Sequence, residues 1–169
     1  YGTSFGYPIS AVGSHVSAVP NHQTGRITSL HTRGVVAMAG TFGYELNLGK
    51  LSEEEKEEIR SQVEEYRKFA PLIQTGLYYR LSDPSKEEYA AWAFVSEDQK
   101  EVLLNVVMQE IHGNMTVNYV NLQGLKCSAI YRDTETGKTY NGAALMEAGI
   151  PMPVEMGEFL SLIHISEPT

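Results

Sequence analysis

Carboxylates, imidazoles and thiols carry most hydrolysis, metal binding and nucleophilic attack, so their placement comes first. The only aspartates are Asp83, Asp98 and Asp133, and each sits in a turn-like run: SDPS, SEDQK and RDTETGK. Asp favours such positions because its side chain bonds its own backbone. All three therefore read as structural. Acid–base hydrolysis needs two carboxyls converging on a cleft, and spacing alone shows no such pair. Glu45 is the one glutamate in an apolar strand of the N-terminal half, FGYEL. It could bind a hydroxyl or pair with a buried arginine such as Arg33, and the structural pairing is the expected one. His15, Asn21, His22 and Gln23 cluster in the run GSHVSAVPNHQTGR. His15 and His22 could meet across that loop, but no Cys or Asp stands close by and the spacing fits no zinc pattern. They read as hydrogen-bonded loop histidines rather than metal ligands. Cys127 alternates within an apparent strand and reads as a small core residue. No motif marks a serine or threonine nucleophile, no GxxxxGK[ST] phosphate loop occurs, and no cofactor is implied.

The elements that must hold these groups follow from periodicity. Ile9 to Ser17 reads as a strand with His15 near its end, and Val19 to Arg26 as a polar loop. Thr28 to Ala39 reads as a helix ended by Gly40, and Phe42 to Leu48 as a second strand. Strand–loop–helix–strand is the repeating unit of a parallel α/β sheet or barrel, where function sits in the loops after the strands. Lys50 to Gly76 is the clearest helix. Ser52 and Glu55 form a capping box, and Ile59, Val63, Tyr66, Ala70 and Ile73 draw one apolar stripe. Pro71 is expected to bend or end it near Ala70.

From Leu77 the texture changes to short alternating runs. Leu77–Leu81, Ala90–Ser96, Glu101–Glu110, Met115–Leu122, Leu125–Asp133 and Lys138–Met146 are separated by polar turns. Such spacing indicates an antiparallel sandwich. The expected organisation is therefore an α/β part over residues 1–76, a β-sandwich over 77–159, and a tail over 160–169. Trp92, Tyr78, Tyr79, Tyr119 and Tyr131 could form a sugar-stacking platform, but on sandwich strands such aromatics are more often core.

The bulk numbers exclude some classes. Hydrophobic residues make up 42% of 169, enough for packed cores, and the net charge is −8. Nucleic acid and anionic membrane surfaces both demand basic patches, so neither is an expected partner. No apolar run approaches the roughly 20 residues of a membrane span. The single cysteine forms no internal disulfide, which suits a reducing, cytoplasmic setting.

The segments YGTSFGYP, GSHVSAVPNHQTGR, LHTR and GTFGYELNL, with AAWAFVS, YRDTETGKTYNGAALMEAGI and PMPVEMGE, resemble one family. They are similar to the C-terminal part of bacterial melibiase-type α-galactosidases, glycoside hydrolase family thirty-six. The resemblance covers Tyr1 to about Glu158. It implies the last two βα units of a (β/α)8 TIM barrel followed by a C-terminal antiparallel β-sandwich. It also implies retaining hydrolysis of terminal α-linked galactose from melibiose- and raffinose-type oligosaccharides, by an enzyme that is often homo-oligomeric. Retention takes two carboxyls ~5 Å apart. The family's KWDxNR-like and SDxxDAxxR-like aspartate motifs are not present, so both catalytic residues are expected upstream of Tyr1 and the fragment is expected to be inactive. His15, Asn21, His22 and Gln23 would then face or support the catalytic mouth. Asn47 stands where the family more usually has Asp. Residues 160–169, LSLIHISEPT, resemble a translated sequencing adapter and are expected to be non-native. Two rival readings stand: a related α-N-acetylgalactosaminidase, or a non-catalytic sugar-binding or interaction module.

Overall fold

The computed structural model describes residues 1–110, 112, 113 and 117–152, and the backbone alone of residues 161–168. Two compact units are present, Tyr1–Gln74 and Thr75–Thr169.

In the first unit the strand expected from Ile9 starts later. Ala11 and Val12 donate to the carbonyls of Pro8 and Ile9, which spends residues 9–11 on a single 3-10 turn. Strand β1 then runs Gly13–Ser17. Helix α1 is Leu30–Ala37, beginning two residues later than its periodicity suggests because Ser29 is the cap: its hydroxyl accepts from the Thr32 N–H at 3.1 Å. Strand β2, Thr41–Glu45, lies parallel to β1 with His15 opposite Gly43 and Ser17 opposite Glu45. Gly40 does not cap α1. It lies against β1, where an added Cβ would meet the Val12 carbonyl at 2.5 Å. That carbonyl accepts from the Thr41 N–H at 2.8 Å.

Helix α2 is Glu53–Thr75. The capping box forms as expected: Ser52 N–H donates to Glu55 Oε2 at 2.8 Å and Glu55 N–H to Ser52 Oγ at 3.2 Å. Lys56–Glu53 and Arg60–Glu57 ion pairs lie on its solvent side. The expected break at Pro71 does not occur, and the helix continues through it. A proline deletes one helical hydrogen bond, whereas burial of Leu72 and Ile73 in the same turn rewards staying helical. Ile59 packs with Val16, Leu30, Ala37, Phe42 and Tyr44 over one face of the β1–β2 pair.

The second unit holds β3 (Leu77–Arg80), β4 (Tyr89–Val95), β5 (Val102–Met108), β6 (Tyr119–Val120), β7 (Ile130–Asp133), β8 (Thr139–Asn141), helix α3 (Gly142–Glu147), β9 (Ile150–Pro151) and β10 (Ser161–Pro168). A six-stranded antiparallel sheet has the order β3-β4-β5-β10-β7-β8. The second layer is the short β6–β9 pair with α3 and irregular chain, and among the described residues it contains no broad second sheet. Ala91, Ala93, Val95, Val102, Leu104 and Val106 from the sheet meet Val120, Leu122, Leu125, Leu145, Ile150 and Met152 from that layer. Residues 115–116 of the expected fourth strand, and residues 153–159 at the end of the expected sandwich, lie outside the described residues.

Three expectations change here. The strand expected over Leu125–Asp133 is only β7, because Tyr131, fully buried, bonds its hydroxyl to the Lys126 N–H and the Gln99 carbonyl and folds residues 126–129 into a turn. Cys127 is therefore exposed in that turn, not in the core. The run Lys138–Met146 divides into β8 and α3, since the Asn141 side chain caps the helix at Ala143 N–H. Trp92 and Tyr131 are buried and Tyr78 stacks on Phe94 at 5.3 Å, so of the five aromatics only Tyr119 is exposed.

Tyr131→Phe should lower stability by about 1–3 kcal/mol, since it leaves the Gln99 carbonyl and Lys126 N–H without their partner. Urea unfolding of the intact chain checks this; an unchanged midpoint would refute the role of the hydroxyl.

Candidate functional site

In parallel α/β units the chemistry gathers where the strands end and the loops begin. Here that place is the Ser17 end of β1 and the Glu45 end of β2, with the loop from residue 18 to 29 rising from β1. Alternation puts Ser14, Val16, Phe42 and Tyr44 on the helix-covered face. Gly13, His15, Ser17, Thr41, Gly43 and Glu45 share the opposite face, and none of them is buried.

His15 Nε2 and Glu45 Oε2 are 2.7 Å apart on that open face. The expected Glu45–Arg33 pair is not formed. Arg33 instead donates from its Nη1 to the Ser17 carbonyl, and from Nε to the Thr28 carbonyl at 3.0 Å and the Ser29 carbonyl at 3.3 Å. One planar guanidinium thus fastens both feet of the loop. Burial holds the Arg33 pKa below its ordinary value, with Glu55 and Glu58 opposing.

Asn21 governs the loop itself. Its Oδ1 accepts from Gln23 N–H and Thr24 N–H, both at 3.0 Å, and from the Thr24 hydroxyl at 3.1 Å. Its N–H and carbonyl bond Arg26 and Gly25. Gly25 takes φ +69, which favours glycine. Asn21 thereby shapes the loop, and His22 and Gln23 stand exposed on it. The structure joins His15 to Glu45 and Asn21 to Gln23.

Behind the strands, Gln62 is a buried hub. Its Nε2 donates to the Leu30 carbonyl at 3.2 Å and Glu58 Oε1 at 3.1 Å, and its Oε1 accepts from the Tyr44 hydroxyl at 2.8 Å. Gly34 lets α1 approach it: a Cβ there would fall 2.5 Å from the Gln62 amide carbon. Burial, then the nearby Glu58 charge, push the Tyr44 phenol up to about 12.

The three aspartates behave as turn residues. Asp83 accepts from the Ser85 hydroxyl and N–H and pairs with Lys86, which holds it down at about 2. Asp98 accepts from the Ser96 hydroxyl and the Lys100 N–H. Asp133, buried, accepts from the Glu135 and Thr136 N–H groups and the Thr136 hydroxyl. Among the described residues no group of three His, Cys, Asp or Glu side chains is placed to hold a metal ion, and no helix is long and apolar enough to cross a membrane.

Comparison with known proteins agrees with this arrangement. Residues 1–76 match the Melibiase family and residues 89–165 match the Glycosyl hydrolase family 36 C-terminal domain, which together span most of the chain. The chain belongs to glycosyl hydrolase family 36. A similar family member is the bifunctional alpha-galactosidase/sucrose kinase AgaSK of Mediterraneibacter gnavus, 60% identical over 90% of this chain and 16% of its own length. The solved galactosidase domain of AgaSK superposes with a TM-score of 0.98 at 54% identity, over 100% of this chain and 24% of that one. A variant of the family 36 α-galactosidase AgaA from Geobacillus stearothermophilus, solved in complex with raffinose, gives 0.97 at 44% identity, over 100% of this chain and 23% of that one. The chain therefore spans about a fifth of the length of these family 36 relatives.

Within this family 36 chain, the Glu45 partnership with His15 was not legible in the sequence. Parity along each strand was readable, but only the parallel register sets Glu45 two residues beyond the position opposite His15.

The Tyr44–Gln62 bond yields a pH prediction. The neutral phenol is favoured in the fold, so its contribution is complete below pH 10 and is lost as the pH rises from 10 towards 12. The melting temperature of the intact chain should fall more between pH 9 and about 11.5 than that of Tyr44→Phe, which lacks the group. Tyr89, also raised to about 12, declines equally in both proteins.

Proposed function

We propose that this chain is the C-terminal part of a retaining α-galactosidase that removes terminal α-linked galactose from melibiose- and raffinose-type oligosaccharides. The observation that carries this reading is the superposition of the whole chain on α-galactosidase structures, one of them a raffinose complex. In this reading β1, α1, β2 and α2 are the last two βα units of a (β/α)8 barrel over residues 1–76. Residues 77–159 form the C-terminal β-sandwich. Retention needs two carboxyls about 5 Å apart. Glu45 is the single carboxylate on the open face of β1 and β2 among the described residues; the KWDxNR-like and SDxxDAxxR-like aspartate motifs do not occur in the sequence, so in this reading both reacting carboxylates come from the rest of the enzyme. His15, His22 and Gln23 are substrate-side groups, and Asn21 supports them by shaping the loop. The whole enzyme works as a homo-oligomer, as the family resemblance implies, and in the cytoplasm, which the single cysteine suits. In this reading residues 160–169 are a non-native tail, although the backbone of Ser161–Pro168 forms β10.

The sugar-binding-module reading loses its support in the burial of Trp92 and Tyr131. The choice between galactose and N-acetylgalactosamine falls to pocket residues outside this chain.

Grafting tests the proposal. This chain replaces the matching segment of the AgaSK galactosidase domain. The graft should hydrolyse p-nitrophenyl α-galactoside, well above its rate on the α-N-acetylgalactosaminide, while the chain alone should hydrolyse neither. A folded graft without α-galactosidase activity sinks the reading.

A second outcome concerns the loop. In the active graft Arg33→Lys should lower kcat/KM by about tenfold or more, because an ammonium cannot span the Ser17, Thr28 and Ser29 carbonyls as the fork does. Unchanged kinetics would show that the loop needs no such clamp.

A further inference from the structure

We propose that Glu45 is a positioning residue for His15, and that the pair presents the imidazole Nδ1 to a hydroxyl of the terminal galactosyl unit. This rests on the α-galactosidase reading above and adds Glu45, which that reading leaves without a role.

The placement comes from the backbone. Parallel register sets His15 opposite Gly43 and Ser17 opposite Glu45. Gly43 has no side chain, and a Cβ built there meets nothing within 4 Å. That gap lets Glu45 reach back along the strand to His15 Nε2 at 2.7 Å.

Stability does not account for the contact. The two side chains are 50% and 76% exposed, and exposed pairs add little because solvent screens them. The face they occupy is also unusual. Parallel sheets are normally covered on both faces. Here the α1–α2 side is packed, and the face with His15 and Glu45 is open among the described residues. Relatives of which this chain is only 16% to 24% have ample further chain to enclose it. An enclosed polar face at the carboxyl ends of parallel strands is where ligands bind in such folds.

The chemistry then follows from which nitrogen is used. A carboxylate can only accept, so the 2.7 Å contact places a proton on Nε2. A neutral imidazole with Nε2–H carries its lone pair on Nδ1, which is an acceptor. Sugar hydroxyls supply the matching O–H donor. Glu45 therefore fixes both the tautomer and the ring plane, as carboxylates do for metal-bound and catalytic histidines.

Two measurements test this. In the intact chain, 15N–1H correlation spectra should show His15 as the Nε2–H tautomer, and Glu45→Ala should return it to a mixture. An unchanged tautomer overturns the positioning role. In the active graft, His15→Ala and Glu45→Ala should each lower kcat/KM by about tenfold or more. The loss should fall mainly on KM, because the hydroxyl is bound in the ground state as well. The double variant should be no worse than either single one. Glu45→Gln, whose amide oxygen still accepts from Nε2, should restore most of the loss, which a purely charge role would not predict. If the wild-type graft is active and both alanine variants match it within about twofold, the proposal is overturned while the α-galactosidase reading survives. A folded but inactive wild-type graft overturns that reading and the sugar contact together, and the tautomer measurement still decides the role of Glu45.

Discussion

The first unit depends on the parallel pairing of β1 and β2. Parallel strands cannot be joined by a tight turn, so the chain must leave Ser17, cross over, and re-enter at Thr41. Everything between serves that crossing. The Thr41 N–H to Val12 carbonyl bond starts the register, and it exists because Gly40 brings no Cβ against that carbonyl. Arg33 then ties the start of the loop to its end through three backbone carbonyls. The loop is long and polar, yet it is anchored at both feet and folded around Asn21.

Polar groups fix the cores of both units in the same way. Gln62 spends its amide on β2, α1 and α2 at once. Buried amides and hydroxyls cost about twice as much when unpaired as they contribute when paired. Such a hub therefore penalises alternative helix placements more than it stabilises the native one. Tyr131 has the equivalent role in the second unit, joining the β4–β5 hairpin turn to residues 126–129. Apolar contacts supply most of the driving force in each core, and these two side chains decide which arrangement it selects.

The division of labour for function is sharp. This part of a family 36 protein carries strand ends, an anchored loop and a histidine held by a carboxylate. It carries aspartates too, but each is consumed by its own turn, and a carboxyl held near 2 by local donors, as Asp83 is, cannot give up a proton at neutral pH. The His15–Glu45 pair is the exception: a polar contact on an otherwise open face, with no turn or cap to explain it.

The sequence by itself determined a good deal. Helix α2 and its capping box, the strand–loop–helix–strand order, the change to antiparallel strands after residue 76, the turn roles of Asp83, Asp98 and Asp133, and the family were all legible. These features depend on local chemistry or on long motifs. Tertiary structure alone decided the rest. Pro71 stays inside α2 because its neighbours are buried. Cys127 is exposed because Tyr131 bends the chain before β7. Gly40 is a close-approach residue rather than a cap. Glu45 faces His15 rather than Arg33, because strand register is a relation between residues 30 positions apart, and no window along one strand contains it.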